Sequence, residues 1–451
     1  MPAETKKRST IDRNAKAVPF QCPPGIPDVL PDEDGLRHAV AEAGELIALL
    51  HDSRRIEPPL IEFASVFEAG LGVSGLDCGE SSLYLVKAKR DLLALRPDAA
   101  IGVMRAHLEH RLGHLASPLK VWTVGPQFRL RSPKSHEPNL SHEISYHLIG
   151  DSDAVYDVEA ILSTLEFLRE LRFKDLKLHI NTLGCRVCRP NYREKLKAYY
   201  RTRKEKLCRA CAAALEKNPT RCFVCTDAEC LALRADAPIV LDYLCQNCNN
   251  HFKTVLELVE DNAITYEPNP YLIPDNDYHN RTVFEVVTEA VPPVVPGRAV
   301  QGTPWKSEPL AVGGRYDYLA ELLRGRMVPA VMGTIRVDAV VAALRAFAVQ
   351  PTSKPRPHKV FFIAVGEQAK KSGVRLMAEL RAGGITVAEA LGKKSLKAQL
   401  KIAERIRVPQ VLLVGQKEAF EGTIIIRDMR TGAQETLLTN RFVEEVKKRL
   451  R

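Results

Sequence analysis

From "GIPDVLPDEDGLRHAVAEAGELIALLHDS" onward, a start punctuated by Pro and Asp opens a run with apolar residues at helical spacing. This predicts a long amphipathic helix ending near His51 to Ser53. "IEPPLIEFASVF" and "LYLVKAKRDLLALRP" have the β-branched and aromatic content of strands, and "DAAIGVMRAHLEHRL" returns to helical period. "KVWTVGPQFRLRS" reads as a strand entering the polar loop "PKSHEPNLSHE", and "ISYHLIG" as the strand that returns. "GGRYDYLAELLRGRMVPAVMGTIRVDA" reads as a turn, a helix, a Gly-containing apolar strand and a further helix. Strands and helices without regular βαβ alternation predict an α+β class with an antiparallel sheet.

The pattern changes at "VQPTSKPRP", residues 349–357, where three prolines resist helix continuation and predict a linker. Beyond it, "KVFFIAVG", "EQAKKSGVRLMAELRAGG", "ITVAEA", "SLKAQLKIAERIR" and "PQVLLVG" alternate strand and helix, which predicts a small α/β domain at 358–451 with a largely parallel sheet. Residues 1–17 are polar and basic and predict a disordered tail. The core is expected at 18–348.

A chain of 451 residues with 45% hydrophobic content supports two or three globular domains. The formal charge of +10 favours an anionic partner, with nucleic acid the first candidate. No apolar run reaches the roughly 18 residues needed to cross a bilayer, so no membrane role and a cytoplasmic location are expected.

Nine of the 11 cysteines lie between residues 185 and 248. They form Cys185-x2-Cys188, Cys208-x2-Cys211, Cys222-x2-Cys225 with Cys230, and Cys245-x2-Cys248. A C-x2-C turn aims two thiolates at one tetrahedral cation, and two such turns close a structural site. The spacing predicts one or two structural zinc ions, and leaves open which eight of the nine thiols bind. The segment "SHEPNLSHE" carries His136, Glu137, His142 and Glu143; it reads as a solvated loop, with a metal site as the alternative.

Taken together, several phrases resemble the histidyl-tRNA synthetase family, in order from about residue 24 to the C-terminus. "PPLIEF" with Pro59 looks like the first class II motif, and "VGPQFRLRSP" stands at the second. "INTLGCRVCRPNYREKLKAYY" is similar to the family's insertion in its cysteine-bearing version, here at about 181–252. "DYHNRTVFE" and "GGRYDYL" look like the two histidine signatures, and the tail resembles the anticodon-binding domain. The resemblance implies a class II core that carries ATP and histidine, a homodimer formed through the first motif, and tRNA as partner.

Carried over position by position, Arg129 fits the arginine that grips the α-phosphate. Asp98 stands for the glutamate that reads the imidazole, one methylene short, and is expected to leave a buried donor unpaired. Tyr278 and Tyr316 match tyrosines that contact histidine, with Gly313 and Gly314 in the second signature; His279 replaces a further tyrosine. Ala99 and Ala100 stand for a Gly-Thr pair. Pro274, beside Asp275, occupies the slot of a catalytic arginine, and in "RVDA" Asp338 keeps the acid while Ala339 replaces the arginine that grips ATP. Each lost cation at a reacting phosphorus typically costs about 100-fold or more in rate.

The expectation is a family member with weak or lost aminoacylation that binds tRNA, another RNA or a protein. The alternative is an active histidine–tRNA ligase using ATP and Mg²⁺, with Arg131 and Arg336 as substitute cations. A third reading is a regulatory subunit of a biosynthetic enzyme, poorer because the anticodon domain is present.

Overall fold

The computed structural model describes residues 21–31, 33–71, 83–131, 138–274, 276, 278–289, 308–347, 359–390 and 395–450. The expected tail at 1–17 and linker at 349–357 lie outside these residues, as do His136, Glu137 and Asp275. The chain divides into two compact units, Met1–Thr352 and Ser353–Arg451.

The first unit opens with α1 (Asp34–Leu50), which buries Val40, Ala43, Ile47 and Ala48 as a helix stripe. After β1 (Arg54–Arg55), two prolines keep the chain extended, and β2 (Ile61–Phe63) runs directly into α2 (Ala64–Leu71). The stretch expected to be one strand is therefore partly helix, because Ala64, Phe67 and Gly70 at helical spacing bury one face. A turn at Lys89, where φ is +50°, splits the next expected strand into β3 (Leu85–Ala88) and β4 (Asp91–Leu95).

Next come α3 (Ala99–Glu109), β5 (Leu119–Phe128) and β6 (Leu140–Ile149). His142 and Glu143 consequently stand on a paired strand, opposite Pro126 and Gly125, and not in a solvated loop. α4 (Val155–Glu170) and β7 (Leu176–Thr182) lead into the cysteine-bearing region, with α5 (Arg189–Arg201), α6 (Arg209–Ala214), α7 (Ala228–Arg234) and α8 (Gln246–Asp261). The chain returns through β8 (Tyr266–Pro268), β9 (Asn280–Thr288), β10 (Ala311–Arg315), α9 (Leu319–Leu322), β11 (Ala330–Arg336) and α10 (Val337–Ala346).

Eight strands form one sheet in the order β1-β5-β6-β11-β10-β9-β7-β8. Its central pairings are antiparallel, and only the edge strands β1 and β8 pair in parallel. β2, β4 and β3 make a separate three-stranded sheet. α4 and α10 cover one face of the main sheet with Ile161, Leu165, Leu168, Val340 and Leu344. The approach is close: a Cβ at Gly333 would sit 2.7 Å from the Ala160 carbonyl, so any side chain there would push α4 off β11.

The second unit contains β12 (Lys359–Ala364), α11 (Glu367–Ala382), β13 (Thr386–Glu389), α12 (Leu396–Arg405), β14 (Gln410–Val414), α13 (Gln416–Glu421), β15 (Thr423–Asp428), β16 (Gln434–Leu438) and α14 (Phe442–Leu450). The α/β expectation holds, but the sheet, ordered β13-β12-β14-β15-β16, is mixed where a largely parallel one was expected. β14, β15 and β16 are antiparallel neighbours. The turn between β15 and β16 is too short for a parallel crossover, which takes a dozen or more residues.

Candidate active site and cysteine centres

A cavity of about 470 Å³ is lined by the inner ends of β6, β9, β10 and β11 and by α10. Its deep end is organised by Asp98. Pro97 stops the strand before it, and Asp98 caps α3, its Oδ1 accepting from Ala100 N at 2.7 Å. Its Oδ2 accepts from Tyr278 OH at 2.6 Å, Asn276 Nδ2 at 2.5 Å and Arg129 Nη2 at 3.2 Å. His147 Nε2, buried within reach of the Asp98 charge, has no hydrogen-bond partner. Three donors converge on the shorter acid because Asn276 and Arg129 reach in from either side.

Arg129 also donates from Nε to Pro97 O at 2.9 Å, which fixes the guanidinium beside the Asp98 turn. Burial and the Asp98 charge push the Tyr278 phenol well above its usual range, so it acts as a donor. Tyr316, fully buried, meets His147 Nδ1 through its hydroxyl at 2.9 Å. Burial pulls both His147 and His279 down to about 4, leaving two neutral imidazoles beside these tyrosines. His279 Nδ1 lies 3.1 Å from Arg315 O. Gly313 lies on the cavity lining, where a Cβ would stand 2.4 Å from Met332 O and from the Phe284 ring. Gly314 is as crowded, with Thr282 O at 2.7 Å from a Cβ built there.

Arg131 and Arg336 line the same cavity as Arg129, and so do Pro274 and Ala339. The structure thus brings together every cation weighed from the sequence and both positions where one is replaced. Arg336 lies 4.0 Å from Glu308 at the cavity edge. Asp338 is occupied elsewhere: it accepts from Arg37 Nη2 and from His142 N, each at 2.7 Å. Burial raises its pKa, but these hydrogen bonds outweigh burial and hold the carboxyl below its usual range.

Sequence reasoning missed three residues here and misplaced a fourth. Glu143 faces the cavity on β6, and burial, opposed by Arg129 and Arg336 and reinforced by Asp98, pushes it up to about 7. Asn276 and His147 carried no motif, although His147 alternates with Ser145 and Glu143 along one strand face. Arg315 follows the glycine pair and is fully buried, donating to Asp157 Oδ2 at 2.8 and 2.6 Å. Breaking such a buried pair typically costs about 3–5 kcal/mol.

The cysteines form two groups of four that could hold a metal ion: Cys185, Cys188, Cys245 and Cys248, and Cys208, Cys211, Cys225 and Cys230. Cys222 belongs to neither. The expected Cys222–Cys225 pair is therefore split. Cys222 lies in a short helical turn, Pro219–Phe223, which carries its side chain into the core with Tyr200, Leu215 and Phe223, while Cys225 joins the second group.

An antiparallel catalytic sheet with a capped acid at the cavity floor, a cysteine-rich insertion and a mixed α/β second unit together define a class II aminoacyl-tRNA synthetase architecture. Comparison with known proteins narrows this. Residues 25–340 match the family model described as Histidyl-tRNA synthetase, and residues 359–449 the one described as Anticodon binding domain. The chain belongs to the histidyl-tRNA synthetase family. It is 32% identical over 432 residues to a histidine–tRNA ligase of Dehalococcoides mccartyi, covering 96% of this chain and 100% of the relative. The apo histidyl-tRNA synthetase of S. aureus matches in fold with a TM-score of 0.73 and 24% identity, covering 95% of this chain and 100% of that one. An ATP phosphoribosyltransferase regulatory subunit/histidyl-tRNA synthetase from Bacillus halodurans matches in fold with a TM-score of 0.59 and 19% identity, over 89% of this chain and 99% of that one. Among the described residues no helix is long and apolar enough to cross a membrane.

Proposed function

We propose that this chain is a tRNA-binding member of the family, working in the cytoplasm, whose histidine adenylation is weak or lost. The observation that carries this reading is the cavity lining at Pro274 and Ala339, two positions where the family resemblance calls for arginine. Among the described lining residues, Arg129, Arg131 and Arg336 share the cavity with the acids Asp98, Glu143, Glu285 and Glu308, while Asp338 is engaged by Arg37 and His142. A polyphosphate entering this cavity meets acids interspersed among the three guanidiniums, and charge stabilisation at phosphorus depends on fixed cations. The net charge of +10 and the anticodon-binding match at 359–449 support tRNA as the retained ligand.

The second reading, an active ligase using ATP and Mg²⁺, is favoured by one observation: Arg131 and Arg336 share the cavity with Arg129. Histidine-dependent exchange of pyrophosphate into ATP separates the two. The proposed function expects exchange at least about 100-fold below that of an active relative, with bulk tRNA retained on filters and released steeply as salt rises. Exchange at the relative's rate, abolished in Arg131→Ala or Arg336→Ala, would establish the ligase.

Two structural parts accompany this function. Zinc suits the cysteine groups: Cys185–Cys245, Cys185–Cys188, Cys188–Cys248 and Cys208–Cys225 all have Sγ–Sγ separations of 3.8 Å. That equals the edge of a tetrahedron with Zn–S bonds of about 2.3 Å, roughly 3.8 Å. Homodimerisation is supported by the exposed apolar side chains Ile61, Phe63 and Val86, which the pairing register puts on one face of the three-stranded sheet, an area a second copy would cover.

A further inference from the structure

The first cysteine group does not stand apart from the cavity. Cys185 follows Gly184, whose carbonyl accepts from Arg281 N at 2.9 Å while Leu183 N donates to Arg281 O at 2.7 Å. Arg281 is held at φ +48°, a left-handed conformation costly for a side chain of this size, so the bridge to Leu183 and Gly184 constrains it from outside. Cys188 is followed by Arg189, whose Nη1 donates to His279 O at 2.8 Å. Cys245 and Cys248 open α8, and one turn further His251 Nε2 lies 3.3 Å from Asp157 Oδ2. Asp157 in turn holds Arg315, next to Tyr316.

Three links from one cluster of thiols therefore end on two short segments, 278–281 and 315–317. These segments are tied to each other, since Asn280 Nδ2 donates to Asp317 Oδ2 and Asp317 N to Asn280 Oδ1, each at 2.8 Å. They carry Tyr278, which contacts Asp98, and Tyr316, which contacts His147. A cation gripping Cys185, Cys188, Cys245 and Cys248 fixes the end of β7, the start of α5 and the start of α8 relative to one another. Those are the three elements from which the links depart.

We propose that this four-cysteine group binds a thiophilic divalent cation whose role is to position the segments that carry Tyr278 and Tyr316, behind the Asp98 and His279 lining of the cavity, with Arg189 and His251 as the positioning residues. The inference rests on the four-thiolate zinc reading above and adds a specific task to it. The second group, Cys208, Cys211, Cys225 and Cys230, lies in the core of the cysteine-bearing region, against which Tyr271 and Ile273 also pack, and sends no hydrogen bond to 278–281 or 315–317 among the described residues.

The test uses the full-length chain loaded with Co²⁺, whose thiolate charge-transfer absorption reports each S4 site, and hydrogen exchange read peptide by peptide. Cys248→Ser is expected to lose one cobalt equivalent and to exchange at least tenfold faster in 278–281 and 315–317, with β5 and β6 unchanged. Arg189→Met and His251→Gln are expected to keep both cobalt bands yet show the same acceleration, the first in 278–281 and the second in 315–317; Arg189→Lys, which keeps a donor for His279 O, restores protection. These two variants decide the matter even if Cys248→Ser fails to fold. No cobalt band in the wild-type chain overturns the four-thiolate reading together with this proposal. Bands present, with exchange in both segments within twofold of wild type in Arg189→Met and His251→Gln, overturns the positioning role alone.

Discussion

Tyr278 donates its hydroxyl hydrogen to Asp98 Oδ2 at 2.6 Å, joining a residue just ahead of β9 to the cap of α3 across 180 positions of sequence. Hydrogen bonds to a charged partner contribute about 1.5–3 kcal/mol. Tyr278→Phe is therefore expected to lower the stability of the first unit by about 2 kcal/mol in urea unfolding. Asp98→Ala should cost more, since it strips acceptors from Tyr278, Asn276, Arg129 and the Ala100 amide together. A Tyr278→Phe protein within 0.5 kcal/mol of wild type, on the order of measurement error, would show that this bond does not hold the cavity.

The assignment of eight thiols out of nine gives a metal-content prediction. Cys222→Ser is expected to retain two metal equivalents per chain, because Cys222 belongs to neither group of four. Cys230→Ser, which removes a member of the second group, should drop to one. Replacing the sulfur of the fully buried Cys222 with a hydroxyl leaves a polar atom in an apolar cluster, so Cys222→Ser should also unfold at lower denaturant. Metal loss in Cys222→Ser equal to that in Cys230→Ser would reassign the ligands.

Much of this architecture was legible because it is written in local patterns. The 34–50 helix follows from apolar spacing, and the order of short signatures places Arg129, Tyr278 and Tyr316 before any coordinates are known. What was not legible depends on pairs distant in sequence. Asn276 is an ordinary loop asparagine until Asp98 stands opposite it, and His147 gains a partner only through Tyr316. Glu143 was misplaced because "SHEPNLSHE" is polar throughout, and polarity does not distinguish a loop from a strand whose face lines a cavity. Cys222 misled for the opposite reason: its spacing to Cys225 is that of a metal-binding turn, but the local helical turn sends the side chain inward.

Glu143 is a carboxyl whose charged form is disfavoured in the folded chain, with a pKa pushed up to about 7 by burial against the pull of Arg129 and Arg336. For an acid raised above its unfolded value, the folded state holds the proton that the unfolded state releases, so stability falls as pH rises from about 4.3 towards 7. Glu143→Gln removes that penalty. The variant is expected to gain on wild type by about 2 kcal/mol between pH 5 and pH 8. Parallel urea curves at the two pH values check it, and equal differences at both would place the charged form on equal footing in the folded and unfolded chains.

His51 presents the reverse sign. It caps the C-terminus of α1 and reaches α4, with Nε2 2.7 Å from Glu166 Oε2 and Nδ1 3.6 Å from Glu159 Oε1. Lys120 on β5 also meets Glu159, so the imidazolium shares that acid with a permanent cation. The ion pair with Glu159 outweighs burial, the hydrogen bond with Glu166 adds to it, and the His51 pKa rises above its usual value. A base whose folded pKa is raised contributes stability that is fully present below the unfolded value of about 6.5 and is lost as pH climbs through the folded value. His51→Gln should thus be less stable than wild type by about 1 kcal/mol at pH 6, the scale of a partly exposed ion pair, and the gap should close by pH 9. A gap of constant size across that range would mean that His51 acts through packing of α1 on α4 and not through its charge.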